Sequence, residues 1–251
     1  MIGPGDVEEA LGMSHPSANE PGVAREFLTI ITNIAVPHNE PPSLVLRRRA
    51  VVAVVLVAGA VLLGWGMRHD VTDPAFAWSM VALAGVWAGG ALASGPLHLG
   101  SVRFRGRYER PVFTGTGIGV VVGALFVLGA WATRQIPAVA DAADGLLGRA
   151  DESSLRLLVG LVVLNAIAEE MFFRGAVYTA VVRFYPLVIS TVLYAAVVAA
   201  SGNWLLVVAA VILGVVCGVE RRATNGVLAP VLTHLVWGLA VVLVLPSLFG
   251  G

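Results

Sequence analysis

The chain has no lysine. All 16 of its basic residues are arginine, a habit of composition from which no mechanism follows. Charge of either sign is scarce: 13% of the 251 residues are charged and 57% are hydrophobic, with a mean hydropathy of +0.85. A soluble domain carries roughly 25% charged residues, so the composition excludes one and indicates a polytopic membrane protein. The formal net charge is zero, which removes the electrostatic reason to expect a nucleic-acid partner. Cysteine occurs once, as Cys217 in an apolar run; an intramolecular disulfide is excluded and the residue reads as a small core side chain. A positive stretch followed by a short apolar one is lacking at the N-terminus, so residues 1–22 do not read as a secretory signal. There is also no internal repeat, which disfavours an inverted-repeat transporter.

What the sequence has is long apolar runs. Residues 1–43 hold most of the soluble sequence and read as a loosely ordered cytoplasmic tail, with Phe27 to Val36 a candidate interfacial helix. Residues 44–251 read as a transmembrane domain, an all-α helical bundle of about seven spans. The spans are expected at about 50–67, 74–94, 112–132, 157–182, 186–200, 203–219 and 227–245, the fifth and sixth being the shortest. Arg47–Arg49, Arg103, Arg105, Arg107, Arg110, Arg183, Arg221 and Arg222 then fall on one side. That bias places the N-terminus in the cytoplasm and the C-terminus outside.

The fourth span contains Ala168-Glu169-Glu170-Met171-Phe172-Phe173-Arg174-Gly175. An ionised group near the bilayer centre costs about 2.5–3.5 kcal/mol on insertion scales, so three together require partners. Glu170 and Arg174 are four apart, with the glutamate first, the favourable order for an ion pair on a helix. Glu169 lies about 100° around the helix and is left without a charge partner. Two readings stay open. In one, a buried Glu–Arg pair fixes the helix register and Glu169 is protonated or faces a wet crevice. In the other, Glu169 is an intramembrane general base beside a structural ion pair.

A second polar intrusion is His234, in Thr233-His234-Leu235-Val236-Trp237. It lies roughly 12 Å into the membrane and Glu169 roughly 20 Å, from the rise of a helix, depths compatible with contact. Asn165 precedes Glu169 by four residues and shares its face, where it could bond the carboxylate or a water. Tyr178, four after Arg174, could cap the guanidinium; Thr191 and Tyr194 read as packing residues.

Glu-Glu-x-x-x-Arg on a membrane helix resembles the first motif of the CPBP family of intramembrane proteases, also called the CAAX-prenyl-protease-2, Abi or lysostaphin-resistance-protein-A-like family. The ordered context agrees: a basic turn at Arg183, two further spans, Glu220-Arg221-Arg222, then Ala229-Pro230 leading to a histidine. The resemblance covers about residues 155–245. It departs at two places. The family's second motif is Phe-x-x-x-His, where this chain has Tyr194 and Val198; its third is His-x-x-x-Asn or Asp, where this chain has His234 and Gly238.

The resemblance implies peptide-bond hydrolysis in the membrane, with Glu169 activating water, His234 stabilising the oxyanion, and Glu170 and Arg174 holding the geometry. The alternative it leaves is a catalytically impaired relative that binds a peptide and regulates a partner; a transporter using Glu169 as proton carrier is a third class. The implied partners are membrane lipids and a membrane-embedded or prenylated peptide. The cofactor is undetermined: a divalent metal such as zinc would draw on Glu169, His234 and Glu170, a depleted set against the usual three ligands. The expected location is the plasma membrane of a prokaryote.

Overall fold

The computed structural model describes residues 41–104, 107–147 and 152–249. The tail, with its candidate interfacial helix, lies outside the described residues as far as residue 40. Helix α1 is Pro42–Gly66 and α2 is Pro74–Ser94. A short hairpin follows, β1 (Val102–Phe104) antiparallel to β2 (Arg107–Glu109), with Arg103 opposite Tyr108. Then come α3 (Val112–Thr133) and α4 (Pro137–Leu147). Helix α5 (Glu152–Glu170) widens into a π-helical segment, Met171–Val177, and closes with an α turn at Tyr178–Ala180. The last three are α6 (Pro186–Val198, ending in a 3-10 turn at Ala199–Ser201), α7 (Trp204–Thr224) and α8 (Leu228–Phe249).

Prolines and short polar side chains set the boundaries. Pro42, Pro74, Pro137 and Pro186 each open a helix, where the missing N–H is not needed. Asp73 caps α2 by accepting from the Ala75 amide at 2.8 Å; that backbone bond holds its carboxyl below the ordinary carboxylate range. Asn203 caps α7 by accepting from the Leu205 amide at 2.9 Å, and Asn225 ends it in the left-handed conformation, φ 53°.

Among the described residues five helices are long and apolar enough to cross a membrane: α1, α2, α3, α7 and α8. With α5 plus its continuation, and α6 plus its turn, they make the helical bundle of about seven spans that the sequence implies. Large apolar side chains on their outer faces, such as Val54, Val61, Phe113 and Leu125, are exposed, as lipid contact requires.

Two boundaries differ from the sequence reading. Helix α1 begins at Pro42, so Arg47–Arg49 are helical. They are stable there because they reach backbone and side-chain oxygens of neighbouring segments: Arg47 the Ala93 carbonyl at 2.7 Å, Arg48 the Ser94 hydroxyl at 3.0 Å, and Arg49 the Ala180 carbonyl at 3.0 Å. Helix α7 runs on to Thr224 instead of ending at Val219, carrying Glu220 and Arg221 inside the protein. It is therefore not a short span. The hairpin and α4 had no counterpart in the reading.

Helix α3 lies close along α8 because of a stripe of glycines. A Cβ on Gly115 would stand 2.6 Å from the Ala229 carbonyl oxygen, and one on Gly119 2.9 Å from that of Thr233. Small residues at such spacing let backbones approach, and α8 is the helix that carries His234. On the other side of the site, Trp87 of α2 stacks on Phe172 at 4.8 Å and meets Phe173 at 5.2 Å. All three are buried, which fixes the π segment against α2.

Candidate active site

Glu169 and Glu170 end α5, and Arg174 sits within the π segment. Wide helical turns of this type recur at functional sites. The two carboxylates face different partners. Glu170 is fully buried, and so is Arg174. Arg174 Nε stands 3.1 Å from Glu170 Oε2, an ion-pair distance whose angles are not those of a hydrogen bond. The other oxygen, Oε1, is 2.9 Å from Nδ1 of His234. A carboxylate paired with a guanidinium has no proton to give, so Nδ1 is the donor. No described residue bonds Nε2 of that ring.

The direct partner of His234 is thus Glu170, where the sequence reading paired it with Glu169. Depth along the membrane did not distinguish adjacent residues; their direction around the helix does. The hydrogen bond that Glu169 accepts comes from elsewhere. The Tyr194 hydroxyl on α6 donates to Glu169 Oε2 at 2.7 Å. Oε1 of this half-buried glutamate has no partner among the described residues.

Around this centre lies a shell that the sequence reading missed. The Arg174 guanidinium stands 5.0 Å from the centre of the Tyr194 ring, the role the sequence suggested for Tyr178, which instead lies under Arg221 at 5.2 Å. Arg221 Nε donates to the Arg174 carbonyl at 2.8 Å, so the end of α7 grips the π segment by its main chain. Glu220, buried on α7, accepts from the Thr233 hydroxyl at 2.8 Å. The signal for these residues was present in Glu220-Arg221-Arg222, but their partners lie on other helices.

Asn165 does not bond Glu169. Its amide nitrogen donates to the carbonyls of Met80 at 3.2 Å and Leu161 at 3.0 Å, which ties α5 to α2. Val198 is buried one turn beyond Tyr194 and brings carbon alone. Gly238 is buried on α8, and a Cβ there would stand 2.9 Å from Cγ1 of Val162. A cavity of about 270 Å³ lies between α3 and α7, lined by Thr114, Ile118, Val219 and Glu220 among others; neither Glu169 nor His234 lines it.

The donor set does not suit a metal. Glu170 is engaged with Arg174 and His234, and among the described residues no group of three or more His, Cys, Asp or Glu converges for a cation.

A bundle of apolar helices enclosing two glutamates, an arginine, a histidine and a tyrosine is an integral membrane protein with an interior polar site. Residues 151–240 match the family model described as Rce1-like, type II CAAX prenyl endopeptidase. That match agrees with the CPBP resemblance of the sequence and takes in Glu169, Glu170, Arg174, Tyr194, Val198, His234 and Gly238. Neither a curated protein nor a solved structure matches the chain.

Proposed function

We propose that this protein is an intramembrane endopeptidase that hydrolyses a peptide bond in a membrane-embedded or lipid-modified peptide, with Glu169 as the base that activates water. The supporting observation is the division of labour between the two glutamates. Both oxygens of Glu170 are engaged, by Arg174 and His234. Glu169 has one oxygen held by Tyr194 and the other open. That difference supports Glu169, not Glu170, as the carboxylate that takes a proton from water.

In the proposed reaction the water gives its proton to Glu169 and its oxygen attacks the peptide carbonyl carbon. The tetrahedral intermediate collapses by breaking the C–N bond, and the proton passes from Glu169 to the leaving amine. Glu170 orients His234 through Nδ1, which leaves Nε2 for the substrate; as imidazolium it donates to the developing oxyanion. Arg174 keeps Glu170 in place.

The test is cleavage of a quenched-fluorescence peptide ending in prenylated cysteine and three further residues, with the full chain in liposomes. Glu169→Gln keeps the shape and loses the base, and the rate is expected to fall at least about 100-fold. Equal rates in the parent and Glu169→Gln would refute this reading. Val198 and Gly238, where the family pattern has polar groups, favour a second reading, a non-catalytic peptide-binding protein. It is distinguished by retention of the peptide, uncleaved, by both proteins.

A further inference from the structure

Tyr194 is the one hydrogen-bonding side chain that the described residues bring to Glu169. It stands on α6, whose other polar side chains, Ser190 and Thr191, are short hydroxyls. Its ring is held tightly. Phe173 packs on it with centroids 4.7 Å apart, the Arg174 guanidinium lies 5.0 Å from its centre, and the side chain is 5% exposed. A phenol with its ring so confined presents its O–H in one direction. Val198, one turn further on α6, offers no donor that could share the task.

From this geometry we infer that Tyr194 is a positioning residue: its hydroxyl fixes Glu169 Oε2 so that Oε1 is presented to the reacting water. The inference rests on the reading of Glu169 as the base. A carboxylate held at one oxygen loses its freedom to turn about its last side-chain bond, and orientation of this kind translates into rate. A buried phenol needs an acceptor in any case, so the alternative account is structural: the bond satisfies Tyr194 and does nothing for Glu169. The two accounts separate in the kinetics.

The experiment uses the full chain in liposomes and the same prenylated peptide. Tyr194→Phe keeps the ring, and with it the contacts to Phe173 and Arg174, and removes the hydroxyl alone. The expected result is a fall in kcat of about 10- to 100-fold, the effect of one hydrogen bond to a charged group, with KM and the unfolding transition within about twofold and experimental error of the parent. Because the two groups act as a unit, Tyr194→Phe added to Glu169→Gln is expected to cause no further loss. An unchanged kcat, or a fall matched by loss of folded protein, overturns the inference. A second measurement needs neither turnover nor the stability of that variant. With carbon-13 tyrosine in the protein, the infrared band of the phenol that donates to a carboxylate is expected to shift in Glu169→Gln. No shift means that the bond is absent and the inference is wrong. A parent that leaves the peptide intact refutes the proteolytic reading itself; an active parent with an indifferent Tyr194→Phe refutes only the positioning role.

Discussion

Arg174→Ala removes a guanidinium with no exposure to solvent and leaves the equally buried Glu170 with His234 as its remaining partner. Breaking a buried ion pair from one side costs about 3–5 kcal/mol, because the surviving charge stays desolvated. At about 1.4 kcal/mol per tenfold change, that is roughly two to three and a half orders of magnitude in the unfolding equilibrium. Glu170→Gln together with Arg174→Met removes both charges and keeps most of the volume with an unbranched side chain. Part of the loss is therefore expected to return, since neither charge is stranded. The assay is equilibrium unfolding in mixed micelles, followed by tryptophan fluorescence. Every variant keeps the carbonyl at residue 174 that accepts from Arg221, so the comparison is directed at the side chain. Superimposable curves for Arg174→Ala and the parent would refute the argument, as would a double variant less stable than Arg174→Ala.

Two further outcomes are expected. The buried Thr233 hydroxyl lies 2.8 Å from both Glu220 Oε1 and the Gly115 carbonyl, and no described residue bonds the other Glu220 oxygen. Thr233→Val strips the last described donor from that carboxylate and should cost about 1–3 kcal/mol in the same assay, with Thr233→Ser close to the parent; equal stability of Thr233→Val would contradict the assignment. From the arginine bias we propose a C-terminus outside the cytoplasm: a reporter fused after Gly251 should be active only when it works outside, and cytoplasmic activity would overturn this orientation.

The helices were legible where local chemistry decides them. Asp73-Pro74 announces α2, and the expected span at 74–94 coincides with Pro74–Ser94. The reading failed where a charged residue is accommodated by a distant segment. Arg47–Arg49 fell just before the expected first span at 50–67, yet they are helical and Ala93, Ser94 and Ala180 accept hydrogen bonds from them. Glu220 fell just beyond the expected sixth span at 203–219, and Thr233 on α8 supplies its hydrogen bond. In the site, the spacing of Glu170 and Arg174 is visible in the sequence and the two side chains meet. The partner of His234 was not visible, since height in the membrane is nearly the same for Glu169 and Glu170. Nor was the role of Tyr194. In an apolar helix a tyrosine and a phenylalanine pack alike, and only the position of Glu169 gives the hydroxyl a purpose.

The grip of Arg221 on the Arg174 carbonyl has a consequence for how such a site can change. A bond to the main chain is blind to the identity of the side chain it passes. The path of the backbone at residue 174 is thus set by α7 and by the aromatic wall of Trp87, Phe172 and Phe173, not by the arginine that stands there. Reactive groups in this frame are interchangeable parts on a fixed mount. Val198 stands where the family pattern has a histidine and Tyr194 where it has a phenylalanine, and neither residue supplies the bond that holds the main chain at Arg174.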